Sequence, residues 1–514
     1  MRILAASCLS AALVLSAPAP SVAQEGGQSE DMTRALAAGY KAAFTCSGVF
    51  TAGQSLAEIE ANELTGVYSD YRTALRNVGR ADIDSAAKTV SVSYHSSMPP
   101  RIAVWREGLG CAQLPIGATE DARQWLPGFT SWPKAQGQDV STALGSNVTI
   151  TANTAFFETL EIPISFAFDG QTYGSGNRTS AVVVTENGQV VAERYGRGVD
   201  AETPQRTWSV AKSITATVIG AAIEDGHLFL DQSALVEAFS AGGDPRREIT
   251  LRNVLHMASG LDSGDKGSRT DRLYFGGQRV TDTALTTSLE VKPGSRFKYA
   301  NNDTLIAMRA LREALDDDGA YLRYPYEAVL QKIGATRTIL ETDWNGDYVS
   351  SSQVWATARD LARVGQLYLQ DGVWGGERIL PEGWVDFVST PAPDQPDEGS
   401  YGYGAQFWLM TDEEGVPSDT FVAAGNRGQY IAIIPSRGLV IVRRGYDPVG
   451  GDGFDMAAFT RDVATALERP EGPVQVIDAE GYPVYDKDGN PVYEADKEAD
   501  LKAELERAFG QPSE

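Results

Sequence analysis

Histidine is almost missing from this chain. Its 514 residues hold three, His95, His227 and His256, far apart and without metal-ligand spacing. Neither a zinc centre nor a Ser-His-Asp triad is therefore indicated. His227 falls in a turn, Glu224-Asp225-Gly226-His227, and His256 at a helix end, so structural or surface roles fit them better than catalysis. Cysteine is equally scarce, with Cys8, Cys46 and Cys111. Positive charge is in deficit: 44 Lys and Arg face 69 Asp and Glu, a net charge of −25, which disfavours nucleic acid and anionic membrane surfaces as partners. No nucleotide, flavin or metal motif is evident, so no cofactor is implied.

The N-terminus carries a charged tip, Met1-Arg2, then a short apolar stretch to Leu15 and a small-residue site, Ser21-Val22-Ala23. That pattern predicts a signal peptide over 1–23, cleaved near Ala23, and a periplasmic or secreted protein; the apolar run is too short to span a bilayer. Cleavage leaves Cys46 and Cys111, an even pair that in an exported protein is a disulfide candidate, with two buried free thiols as the alternative. Residues 32–132 read as an N-terminal module of unknown role. Asp31 to Phe44 looks helical, and Val90 to Tyr94 and Ile102 to Arg106 alternate as strands do. A packing appendage is the plainer reading of this module, a lid over a cleft the other. Residues 133–154 form a Gly/Ser/Thr/Gln-rich linker and 155–469 the main domain, entered by a short helix at Phe156 to Leu160. Residues 470–514 are an acidic appendage in which Gly481 to Asp486 and Gly489 to Glu494 resemble a hairpin.

The chemistry gathers at Trp208-Ser209-Val210-Ala211-Lys212-Ser213. Residues three apart share a helical face, so a Ser-x-x-Lys tetrad sets an amine beside a hydroxyl that needs a base. The run Ile214 to Ile223 is nearly all apolar or small, which predicts a helix buried on most sides. Burial depresses a lysine pKa. The tetrad also begins at Ser85, Ser131, Ser263 and Ser295, so context must choose. Ala181 to Tyr195 reads as two strands around Asn187-Gly188, a strong hairpin signal, which places Ser209 after a sheet and at the start of a helix. Tyr299 is the only tyrosine with Asn two places on, at Asn301, and Phe421 to Pro435 reads as a glycine-rich edge followed by an apolar strand. Small residues at such an edge admit a substrate backbone.

With these motifs, residues 180 to 468 resemble the serine hydrolases related to class C β-lactamases and D-alanyl-D-alanine carboxypeptidases, marked by Ser-x-x-Lys, Tyr-x-Asn and a Lys/His-Thr-Gly strand. Trp208 to Ser213, Asp244 to Leu251, Met257 to Leu261 and Ala356 to Leu369 look most like the 6-aminohexanoate-dimer hydrolase branch. The resemblance implies an α+β fold of the β-lactamase/transpeptidase type: an antiparallel sheet flanked by helices with an inserted helical subdomain, here with a small N-terminal α+β module. It implies Ser209 as nucleophile and Lys212 or an ionised Tyr299 as general base, a choice the sequence leaves open. It further implies an oxyanion hole from the N–H groups of Ser209 and Asn426, with Asn301 hydrogen-bonding Lys212 or the substrate amide and Gly425 at the substrate. One departure stands out. Ala423-Ala424-Gly425 occupies the place of Lys/His-Thr-Gly, which removes a charge-assisted clamp for a substrate carboxylate. Arg427 is near enough in sequence to replace it. A small-molecule amide or ester is thus the expected substrate of an exported hydrolase. β-Lactams and D-alanyl peptides come second, and a non-hydrolytic cell-wall ligand-binding protein is the contrasting class; oligomeric state is not legible.

Overall fold

The computed structural model describes residues 30–129, 154–263, 274–397 and 401–468, together with 484 and 492. The signal-peptide reading of 1–23 and most of the linker fall outside them. Of the C-terminal appendage, only residues 484 and 492 are described, and the Val492 N–H donates to the Val484 carbonyl at 3.0 Å; the rest of the hairpin reading lies outside the described residues.

The N-terminal part opens with α1 (Glu30–Phe50), α2 (Leu56–Asn62) and α3 (Ser69–Asn77). Helix α1 runs six residues beyond the expected Phe44 and presents Leu36, Tyr40 and Phe44 at four-residue spacing; the two rings stack at 4.2 Å. Helix α2 starts on a capping box between Ser55 and Glu58. Strands β1 (Ala81–Asp84), β2 (Thr89–Val92), β3 (Arg101–Arg106) and β4 (Gly110–Gln113) follow as an antiparallel meander, with α1 packed across it. Cys46 on α1 and Cys111 on β4 form a disulfide. Beside it, the Ser47 hydroxyl (2.6 Å) and the Cys111 N–H (3.0 Å) both donate to Glu341 of the following part. The apolar core of this part also continues outward, taking in Trp208, Tyr274, Phe275, Leu305 and Val349.

The second part begins at α4 (Thr154–Phe168), then the hairpin of β5 (Thr179–Glu186) and β6 (Gln189–Tyr195). Asn187 and Gly188 both take positive φ at the turn, 50° and 78°, as a tight hairpin demands. Next come β7 (Gln205–Arg206), α5 (Val210–Glu224), and the helical stretch of α6 (Leu251–Leu255), α7 (Asp282–Thr286), α8 (Asn301–Leu315) and α9 (Asp318–Tyr324). After these lie β8 (Ile339–Leu340), β9 (Val354–Ala356), α10 (Ala358–Leu369), β10 (Val373–Trp374), β11 (Glu377–Arg378) and α11 (Trp384–Ser389). The chain then forms β12 (Gly402–Tyr403), β13 (Trp408–Leu409), β14 (Phe421–Gly425), β15 (Gln429–Ile434), β16 (Leu439–Gly445) and α12 (Met456–Ala466). A seven-stranded sheet has the order β12-β13-β14-β15-β16-β5-β6 with antiparallel pairs throughout, so the late strand β16 lies against the early β5. Helices α5 and α10 cover one face with Phe421, Ala423, Ile431 and Val440, while α4 and α12 cover the other with Val422, Ala432 and Ile441. This is the expected α+β architecture. No helix among the described residues is long and apolar enough to cross a membrane.

The disulfide spans 65 residues of sequence. Closing a loop of that length constrains the unfolded chain by about 2–4 kcal/mol. Cys46→Ser/Cys111→Ser should therefore lower unfolding stability by about that amount, measured as a shift in denaturant midpoint, and reductant should shift only the wild type.

Candidate active site

Ser209 is partly exposed at the N-cap of α5, with helical backbone angles of −69° and −8°. The residue before it is unusual. Trp208 is a buried, non-glycine residue at φ 51°, a conformation that costs roughly 1–2 kcal/mol and persists only when its surroundings impose it. The imposition is visible: the Arg206 guanidinium lies 3.8 Å over the Trp208 ring, with Phe44 at 6.0 Å and Tyr68 edge-on at 6.5 Å. Helix α5 is buried from Val210 through Ala222, because its small residues let the sheet and neighbouring helices approach on all sides.

Lys212 is one turn into that helix and 1 % exposed. Its Nζ lies 3.3 Å from Ser209 Oγ, 2.5 Å from Asn301 Oδ1 and 2.9 Å from the Ser351 carbonyl. Burial brings its pKa down to about 7. Asn301 is the first residue of α8, and Tyr299 just before it turns its ring to the same place, 5.0 Å from Lys212 Nζ, stacked on Trp408 at 5.4 Å and edge-on to Tyr403. The two motifs are thus brought together. Of the two bases that the sequence left open, an ionised Tyr299 is disfavoured: burial raises the phenol above its ordinary range, a hydrogen bond with Ser209 opposes this, and the neighbouring Tyr274 adds to it. The phenol's own burial is the largest of these causes and favours its protonated form.

Strand β14 reaches this point from the sheet. A Cβ on Gly425 would lie 2.4 Å from the Thr207 carbonyl and 3.1 Å from the Ser209 nitrogen. The close approach that needs a glycine is therefore to the chain's own nucleophile turn; the sequence had suggested a substrate backbone. Asn426 follows at the start of the β14–β15 turn. Among the described residues its backbone N–H and that of Ser209 have no partner, as a pair of oxyanion donors would require. Ala423 is fully buried against the α5 side of the sheet and offers no charge there.

Arg427 is a correction. The sequence made it a candidate for a substrate carboxylate, but at φ 60° its side chain turns back and is 4 % exposed. It donates to the Asp447 carbonyl (3.1 Å), the Tyr446 carbonyl (3.3 Å) and, in the N-terminal part, the Thr65 carbonyl (2.8 Å). The left-handed turn decides this direction. The three histidines stand apart from the site's hydrogen bonds. His227 is exposed, and burial holds His256 near 4, neutral beside Phe387. Sequence reasoning missed the Ser351 carbonyl, which any residue type supplies, and Trp408 and Tyr68, which are single aromatics without a motif.

A family model described as beta-lactamase matches residues 169–446. The 6-aminohexanoate-dimer hydrolase of Paenarthrobacter ureafaciens is 28 % identical over 290 residues, covering 52 % of this chain and 72 % of that protein. Penicillin-binding protein 4 of Amycolatopsis lactamdurans is 24 % identical over 279 residues, 48 % of this chain and 72 % of its own. Among solved structures, a penicillin-binding protein homolog from Caulobacter crescentus superposes with a TM-score of 0.47 at 16 % identity, covering 61 % of this chain and 97 % of that one.

If Arg427 is a structural tie, Arg427→Met should cost about 2–4 kcal/mol, because three carbonyls lose a charged donor. The ratio of kcat/KM between a carboxylate-bearing ester and its neutral counterpart should stay within about twofold, since no charge-assisted contact to substrate is removed. Unfolding curves and paired ester kinetics check the two halves.

Proposed function

The chain belongs to the beta-lactamase family of serine hydrolases, and from that premise we propose that it is an exported enzyme that opens a small amide or ester through an acyl-enzyme on Ser209. One observation carries the mechanism. A neutral amine has two N–H groups and one lone pair. The Asn301 Oδ1 and the Ser351 carbonyl take the two N–H groups of Lys212, which leaves the lone pair for the Ser209 hydroxyl 3.3 Å away. An amine so placed, with its pKa brought down to about 7, supplies its unprotonated form as a general base at and above neutral pH.

Ser209 Oγ then bonds to the substrate carbonyl carbon while its proton passes to Lys212. The oxyanion is met by the N–H groups of Ser209 and Asn426. As the tetrahedral intermediate collapses, the bond to the leaving oxygen or nitrogen breaks and that atom takes a proton. Tyr299, protonated and hydrogen-bonded with Ser209, is placed to deliver it and be reprotonated from Lys212. Water attacks the acyl-enzyme by the reverse path, with Lys212 again receiving the proton.

Substrate choice follows from charge. Ala423 carries none and Arg427 is turned away, so a neutral amide or ester is favoured over a β-lactam, whose carboxylate would go unpaired. The name of the Paenarthrobacter relative supports a small amide. A purely ligand-binding role would have no use for a buried, pKa-lowered lysine beside a serine. Export is supported by the signal-type N-terminus and the disulfide.

The test is intact mass after fluorophosphonate treatment, with turnover of a short-chain p-nitrophenyl ester and a penicillin in parallel. Labelling and ester turnover should both vanish in Ser209→Ala, with Lys212→Ala down by about 10²–10⁴-fold; a wild type that neither labels nor turns over would sink the hydrolase reading. The pH profile has a definite sign. The active form is the unprotonated amine, so kcat/KM should rise through an acidic limb near pH 7, and no limb from Tyr299 should reduce it below the alkaline range.

A further inference from the structure

The two N–H groups that would meet the oxyanion belong to Ser209 and Asn426, and one side chain of the N-terminal part touches the neighbourhood of both. Tyr68 is half-buried just before α3. Its hydroxyl accepts a hydrogen bond from Asn426 Nδ2 at 3.0 Å, and its ring stands edge-on to Trp208, the strained residue that precedes Ser209. The Asn426 side chain is held at its other end as well, since its Oδ1 accepts from the Arg427 N–H at 2.9 Å. The segment bearing Tyr68 is fastened to the same sheet end. Arg427 donates to the Thr65 carbonyl, the Val449 N–H donates to the Gly66 carbonyl at 2.8 Å, and Gly66, at φ 69°, packs on Pro448. These contacts fasten the Tyr68 segment to the end of the sheet that carries Asn426.

We infer that Tyr68 is a positioning residue for the oxyanion hole: its hydroxyl fixes the turn that carries the Asn426 N–H and its ring fixes Trp208, so that the N-terminal part completes the catalytic site. The inference rests on the hydrolase reading. Residues 30–129 lie outside the stretch that the family model matches, so the Tyr68 segment is supplied from beyond the matched catalytic region.

A donor in an oxyanion hole acts on the transition state, so misplacing it lowers kcat and leaves substrate binding largely intact. With the full chain and p-nitrophenyl butyrate, Tyr68→Phe, which keeps the ring, should lower kcat about five- to tenfold with KM within about twofold. The rate of fluorophosphonate labelling should fall by a similar factor, and Tm should hold within about 2 °C. In an Asn426→Ala background, which removes the Nδ2 group that donates to this hydroxyl, Tyr68→Phe should have a much smaller effect than in the wild type. A wild-type kcat in Tyr68→Phe, a rise in KM alone, or a full second loss in the double variant would each overturn the inference while leaving the hydrolase reading intact. Absence of turnover in the wild type would overturn both.

Discussion

Taking one lysine ammonium out of water is the constraint around which the molecule is arranged. An unpaired cation in a protein interior costs several kcal/mol, and a lysine escapes that cost by giving up its proton. Lys212 can be so deeply buried because α5 is composed of small and apolar residues that admit close neighbours on every side: the sheet through β14 and β15, and α8 through the Asn301 end. The amine is not left without partners. A side-chain amide from one element and a main-chain carbonyl from another accept its two protons, so its orientation is fixed by parts of the chain far apart in sequence. The long-range pairing of β16 with β5 has the same consequence. It joins the early hairpin to the late strands in one sheet, and α10 covers that pair beside α5.

The N-terminal part enters the same economy of burial by a different route. Its core does not end at its own sheet but runs into Trp208, Tyr274 and Phe275, and the disulfide and its neighbour Ser47 converge on the buried Glu341, which burial holds near 6. A left-handed tryptophan directly before a nucleophile would relax in isolation. Here Arg206, Phe44 and Tyr68 enclose it, and two of those three side chains come from elements distant from the Ser-x-x-Lys motif. Strain at the site is thus held by packing supplied from outside the catalytic sheet.

What could be read in the sequence was what short-range chemistry dictates. Asn187-Gly188 specifies a hairpin because both residues tolerate positive φ, the helix after Ser209 announces its burial by composition, and Ser209 with Lys212 share a face by helical spacing. Tyr299 and Asn301 could be selected by pattern. What could not be read was direction and environment. Arg427 sits where a clamp would be useful, but a positive φ sends its guanidinium to the Thr65 carbonyl, and nothing in the letters Asn-Arg-Gly states which way that turn bends. The ionisation of Tyr299 depends on how much water reaches it and on whether its neighbour is charged. The Ser351 carbonyl is invisible because a backbone group has no residue identity. Gly425 was found, but not its tight contact with the chain's own Ser209 turn, which depends on how β14 meets the start of α5.

The protonation states suggested by burial have a common consequence for rate. In the proposed mechanism the form that reacts holds Lys212 as the neutral amine, Tyr299 as a neutral phenol and Ser209 as a neutral hydroxyl, while Ala423 adds no charge. A low-dielectric site can hold such a resting arrangement without penalty. Charge appears only when the serine proton moves and the carbonyl oxygen becomes an oxyanion, so the fixed N–H groups act on a species absent from the ground state. A permanent cation at residue 423 would instead bind a carboxylate equally before and during reaction, improving affinity for that substrate without lowering the barrier from the bound state. Alanine there would therefore narrow the anionic substrates that the proposed hydrolase can hold, and leave the acyl-transfer roles proposed for Ser209, Lys212 and Tyr299 unaffected.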